Sequence, residues 1–125
     1  MIRLKRVYDS PSSKDGKRFL VERLWPRGVK KSSLLLDEWL KDVAPSTELR
    51  KWFGHDPERW HAFCSRYFTE LRERPESWRP ILQADERGPV TLLYSSHDAT
   101  HNNAVALKKF VDHHRSERSS QGANQ

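Results

Sequence analysis

The stretch Lys17-Arg18-Phe19-Leu20-Val21-Glu22-Arg23-Leu24-Trp25-Pro26-Arg27-Gly28 decides the fold. Read as a strand over 17–25, it puts Phe19, Val21 and Trp25 on one face and Leu20 and Leu24 on the other. A strand that is apolar on both faces is covered on both, as in α/β sheets. Glu22 and Arg23 then lie near the end of a largely buried strand, where a charge is costly unless paired. The turn that follows carries Arg23, Arg27 and Gly28.

Upstream, residues 2–8 read as a strand, with Ile2 and Leu4 opposite Arg3 and Lys5. The loop 9–16 is rich in turn residues and too short for a helical crossover. The first two strands are therefore either an antiparallel hairpin or not neighbours. Downstream, 34–43 suits a short strand over part of its length, and Ala44-Pro45-Ser46 breaks it. Ser46 is a plausible N-cap for a short helix carrying Leu49, Trp52 and Phe53, ended by Gly54. Asp56 and Pro57 open a longer helix. Its Trp60, Phe63, Cys64, Tyr67, Phe68 and Leu71 form one apolar stripe. Cys64 sits in that stripe and reads as a small buried thiol. Pro75 ends the helix, and 76–86 makes another.

Gly88-Pro89 precede Val90-Thr91-Leu92-Leu93-Tyr94, a central buried strand. A turn at Ser95-Ser96-His97-Asp98 leads to a helix over 100–114, with Ala104, Leu107 and Val111 inward. The expected fold class is α/β: a small open sheet of three to four strands, mainly parallel or mixed, flanked by helices. Residues 1–115 make one domain, and the polar 116–125 read as a disordered tail.

The chain has 125 residues and one cysteine, which excludes an internal disulfide and a multi-cysteine zinc site. Neither a signal peptide nor an apolar run of about 20 residues is present, so the expected location is cytoplasmic, with no membrane partner. The formal charge is +6, and it is unevenly placed. Residues 1–31 hold ten Lys/Arg against three Asp/Glu. Such asymmetry suggests an anionic partner, either nucleic acid or a phosphorylated or carboxylated small molecule. A solubilising edge that discourages aggregation would look the same.

In open α/β sheets ligands bind beyond the carboxyl ends of the strands. Those ends are Tyr8-Asp9, the turn at 25–28, and Tyr94-Ser95-Ser96-His97-Asp98, with Lys41 and Asp42 near them. Arg23 and Arg27 could clamp a phosphate or carboxylate with several donors. Gly28 would let the backbone approach closely, and Trp25 could stack on a ring. The alternative is that Arg23 pairs with an internal carboxylate and Trp25 is core. Ser95 and Ser96 add hydroxyl donors at a helix N-terminus, which favours an anion. Ligand contacts are therefore expected from Arg23, Arg27, Gly28, Lys41, Tyr94, Ser95 and Ser96. Asp42 and His97 are the candidate general acid/base groups. His97 and His101 have i, i+4 spacing but no third ligand, so no metal is expected, and no cofactor. There is no glycine fingerprint for a nucleotide and no nucleophile elbow.

Several blocks together resemble the YeaO-like family, a bacterial domain of unknown function. They are Lys5-Arg6-Val7-Tyr8-Asp9, Val21-Glu22-Arg23-Leu24-Trp25-Pro26-Arg27-Gly28 with Lys31, and Asp37-Glu38-Trp39-Leu40-Lys41-Asp42-Val43-Ala44-Pro45-Ser46. They continue with Leu49-Arg50-Lys51-Trp52-Phe53-Gly54-His55-Asp56-Pro57, Val90-Thr91-Leu92-Leu93-Tyr94 and Asn103-Ala104. The resemblance implies no established function. It implies a mainly parallel sheet, which gathers the strand ends on one edge. The family usually has Asp in place of Glu22. The wider superfamily carries a cysteine–glutamate pair and a Cys-His-Arg run where this chain has Tyr94, Ser96 and Asn102-Asn103-Ala104, so thiol chemistry does not carry over. Three functions remain open: binding an anionic small molecule, with or without catalysis; binding nucleic acid; or a non-catalytic, stress-associated protein-interaction role.

Overall fold

A computed structural model describes the backbone of residues 1–123 and the side chains of 1–115. Four parallel strands form one open sheet in the order β1-β4-β2-β3. They are β1 (Ile2–Arg6), β2 (Lys17–Leu20), β3 (Glu38–Trp39) and β4 (Val90–Tyr94). The central position of β4 follows from its composition. All five of its residues are buried, so it needs a strand on each side and cover on both faces. It pairs Ile2 with Val90 on one side and Lys17 with Val90 on the other. β1 and β2 are thus separated by β4, which resolves the choice left by the short 9–16 loop in favour of non-neighbours.

The helices are α1 (Thr47–Phe53), α2 (Trp60–Glu73), α3 (Pro75–Arg87) and α4 (Asn103–Ala123). Ser46 caps α1 through its Oγ, which accepts the Leu49 N–H. A short 3₁₀ turn, Pro57–Arg59, leads into α2, and Pro75 begins α3 at a position that needs no N–H donor. The α4 backbone continues to Ala123, beyond the 114 expected. Of the segment 116–125 expected to be a disordered tail, only the backbone of 116–123 is among what the structure describes, and 124–125 lie outside it entirely.

The two faces of the sheet are covered differently. Ile2, Phe19, Val21, Val90, Leu92 and Tyr94 pack in one cluster with the apolar sides of the helices, including Phe63, Tyr67, Ile81 and Leu107. On the opposite face Val7, Leu20, Leu34 and Leu93 pack with Trp25, Val29, Leu36 and Trp39. Loops supply that second cover, so the helices lie on one side only.

One local expectation changes and one becomes definite. The strand over 17–25 ends at Leu20. Val21 N–H still reaches the Leu93 carbonyl at 3.3 Å, but the chain then turns away. Trp25 consequently packs on the Leu20 side, edge-on to Trp39 with centroids 5.3 Å apart, and Leu24 is exposed. Secondly, the 34–43 segment yields only the two-residue β3, followed by a 3₁₀ turn at Lys41–Val43.

Candidate functional site

Because all four strands are parallel, their carboxyl ends share one edge. A cavity of about 150 Å³ opens there, beyond the ends of β2 and β4. Glu22 and Ser95 line its floor, and Arg50, His55, Phe53, Phe63 and Asn103 line its walls. Leu24, 58% exposed, stands at the mouth.

Glu22 is the charge that the sequence placed at a buried strand end, and the structure shows how it is paid for. The Ser95 N–H donates to Oε1 at 2.6 Å. The Ser95 hydroxyl lies 2.9 Å from Oε1 and 2.8 Å from Oε2. Burial pushes the carboxyl up, and the Ser95 bonds with the charges of Arg50 and His55 pull it part of the way back. The result stays above the ordinary 4.5.

Neighbouring elements hold this carboxylate and its serine in place. Arg6, at the end of β1, donates through Nε to the Ser96 carbonyl at 3.0 Å and through Nη2 to the Ser95 carbonyl at 3.2 Å. Asn103 Nδ2 donates to the Val21 carbonyl at 2.7 Å, tying the start of α4 to the end of β2. Asn102 Oδ1 accepts the Val105 N–H, and its Nδ2 donates to the Asp98 carbonyl. Asp98 itself accepts from the Thr100 and His101 N–H groups and pairs with the His101 ring at 3.0 Å, which holds it well below the usual carboxylate range.

The residues expected to bind ligand separate into three groups. Ser95 and Ser96 line the cavity. Arg23 stands behind it: Nε and Nη2 donate to the carbonyls of Pro45 and Ala44, which form part of the wall. Its guanidinium is therefore engaged internally, by main-chain carbonyls and not by the carboxylate of the alternative reading. The others lie apart from the cavity lining. Arg27 is exposed, and its carbonyl accepts from Tyr8 Oη in the turn after β1, so the two arginines serve different neighbours. Gly28 has φ +77°, which favours glycine, but no atom within 4 Å of a Cβ added there, so it serves a turn and not a close approach. Lys41 lies over the Trp39 ring at 4.1 Å. Tyr94 is buried in the core.

Of the acid/base candidates, Asp42 is exposed and borders a separate groove with Ser46, Glu70 and Arg74. His97 is exposed, with Nδ1 at 3.4 Å from Arg6 Nη2. His97 and His101 turn to different partners, since His101 pairs with Asp98 and meets Trp60 edge-on. Among the described residues no group of three His, Cys, Asp or Glu is placed to hold a metal ion. Nor is any described helix long and apolar enough to cross a membrane.

Arg50 and His55 were not singled out in the sequence. They come from α1 and the turn after it, and nothing in the apolar spacing points to them. Gly54 and His55 both adopt left-handed backbone, with φ +54° and +58°. For histidine that conformation costs about 1 kcal/mol or more. Only the Gly-His pair at a helix end hints at it.

Comparison with known proteins agrees with the resemblance in the sequence. The model of the family described as "Inactive DUF488-N3 subclade" matches residues 1–125. The uncharacterized protein YeaO of Escherichia coli is 44% identical over 110 residues, covering 88% of this chain and 96% of that protein. Uncharacterized proteins of Mycobacterium bovis and Mycobacterium tuberculosis are each 36% identical over 111 residues, covering 89% of this chain and 93% of theirs. No solved structure matches the chain. With its whole length matched and its parallel sheet as that resemblance implied, the chain belongs to the inactive DUF488-N3 subclade, in the YeaO-like family of unknown function.

Proposed function

We propose that this protein binds a small anionic ligand, phosphate- or carboxylate-bearing, in the cavity over Glu22 and Ser95. The observation that carries the reading is Arg50. Its exposed guanidinium lines the cavity and makes no side-chain hydrogen bond among the described residues. A guanidinium with several free donors suits a carboxylate or phosphate. The position at the carboxyl edge of a parallel sheet is where such folds hold ligands. The cavity is smaller than the roughly 300 Å³ and upward typical of drug-sized ligands, so the ligand is small.

The reading assigns binding and no bond-making step. The Ser95 hydroxyl is already committed to Glu22, and the subclade's description as inactive supports the same view. Ser96 is carried into the proposal as a second hydroxyl, and Arg23 as the residue that fixes the Ala44-Pro45 wall.

Titrating isotope-labelled protein with inorganic phosphate and with acetate tests it by NMR. Amide shifts are expected at Ser95, Ser96 and Asn103, with affinity weakened about tenfold or more in Arg50→Ala, on the scale of one charge-assisted bond. Shifts scattered over the surface lysines and unchanged in that variant would overturn it.

A further inference from the structure

We infer that the ligand is a zwitterion, whose ammonium sits on Glu22 and Asn103 while its anionic group sits on Arg50. The inference rests on the anion reading above and adds the ligand's second pole.

A bare anion is an incomplete match for this cavity. Its floor is a carboxylate, and a carboxylate repels an anion brought into the same small space. Two acceptors with spare capacity lie near that floor. A carboxylate offers about four lone-pair sites. Ser95 has two donors, its N–H on Oε1 and a single O–H shared between Oε1 and Oε2, which leaves Oε2 able to accept another donor. Asn103 commits its Nδ2 to the Val21 carbonyl, and its Oδ1 has no hydrogen-bond partner among the described residues. The Ala44 and Pro45 carbonyls on the wall already face Arg23. Arg50, whose guanidinium makes no hydrogen bond among the described residues, belongs to α1. Acceptors from the segment after β2 and from α4 and a donor fork from α1 thus meet in one cavity, whose lining also includes Phe53 and Phe63. An ammonium at the acceptors, a short methylene spacer against the rings and an anion at the guanidinium match all three features. Ligands of this class include small amino acids.

The test compares glycine, β-alanine and γ-aminobutyrate with acetate, propionate and butyrate, read by NMR titration of the full chain. The N-trimethylated form of each amino acid is included, because it keeps the charge and removes every N–H donor. At least one amino acid should bind about tenfold more tightly than its matched acid, the scale of a charge-assisted hydrogen bond. Trimethylation should remove that advantage. Glu22→Gln should remove it too, while Arg50→Ala should weaken both series. If Glu22→Gln fails to fold, the trimethylated ligands still decide the question on the native chain. Equal binding of amino acids and acids overturns the zwitterion and leaves the anion reading standing. Binding by neither series overturns both.

Discussion

At the scale of single residues, the most consequential charge is one that turn-rich sequence concealed. Asp15 ends the loop before β2 and is only 2% exposed. It is paired with Arg18, itself 5% exposed, and with Lys5 Nζ at 3.1 Å, while the Ser12 N–H also donates to it. Burial raises the carboxyl, but the bonds from Ser12, Lys5 and Arg18 outweigh it and hold the group below its ordinary 3.8. Removing one partner of a buried pair strands the other charge. Arg18 would keep the bond from its Nε to the Leu35 carbonyl, but its Nη2 is already buried without a partner among the described residues. Asp15→Asn should cost about 3–5 kcal/mol of stability, measured by urea unfolding. A lowered pKa gives stability that is full above the unfolded value and is lost as pH falls through the folded one. The gap between wild type and variant should therefore be widest near neutrality and close below 3.8. A gap that does not change with pH would mean that shape, not charge, sets the cost. Sequence alone showed a turn here, because a salt bridge across a loop leaves no periodic mark.

Among elements, the register of β2 on β4 depends on a close approach just before the strands begin. Gly16 has φ +65°, and a Cβ there would lie 2.0 Å from the Pro89 carbonyl oxygen. That oxygen accepts the Lys17 N–H at 3.0 Å, the bond that starts the β2–β4 ladder. Gly16→Ala thus meets both a disfavoured backbone and a backbone clash. It should destabilise by about 2 kcal/mol or more, read as a lower unfolding midpoint. Loss of less than about 0.5 kcal/mol, the level of an ordinary surface change, would show that the loop can move aside.

The elements differ in how legible they were, for physical reasons. β4 and α2 were readable because burial alone forms them: five consecutive buried residues, and one apolar stripe at helical spacing. β3 was readable only as a short strand somewhere within 34–43, since only Leu20 and Phe19 draw Glu38 and Trp39 into the sheet, helped by paired bonds between Arg18 and Asp37. The end of β2 was misplaced for a related reason. Leu24 and Trp25 look like strand residues, but Glu22 must reach Ser95, and the chain leaves the sheet to let it. In the candidate site, Ser95 and Ser96 were readable as a strand-end turn and Glu22 as a costly charge. Arg50 and His55 arrive from a helix whose facing depends on packing, so no local pattern announced them.

For the molecule as a whole, the concentration of positive charge in residues 1–31 changes meaning once its members are placed. Arg18 is buried on Asp15, Lys5 reaches the same carboxylate, Arg6 holds the carbonyls of Ser95 and Ser96, and Arg23 those of Ala44 and Pro45. Four of the ten cations therefore serve the interior and the cavity wall. Arg3, Lys14, Lys17, Arg27, Lys30 and Lys31 remain exposed. Even these are divided: Lys17 borders the groove beside Pro80 and Arg87, while Arg3 lies against the Lys14 carbonyl. A nucleic-acid surface needs cations aligned along a phosphate track, and each one engaged adds about 0.9 to the slope of log affinity against log salt. All six acting together would give a slope near −5 on that rule. Divided as they are, they should give a slope shallower than about −3 and no measurable binding to a duplex at roughly physiological salt. Fluorescence anisotropy over a salt series reads both quantities. A slope near −5 with micromolar affinity at that salt would return nucleic acid to first place and make the Arg50 cavity secondary. The expected shallow slope would leave the cationic quarter of the chain as scaffolding, with its chemistry directed inward at Glu22, Ser95 and the wall around them.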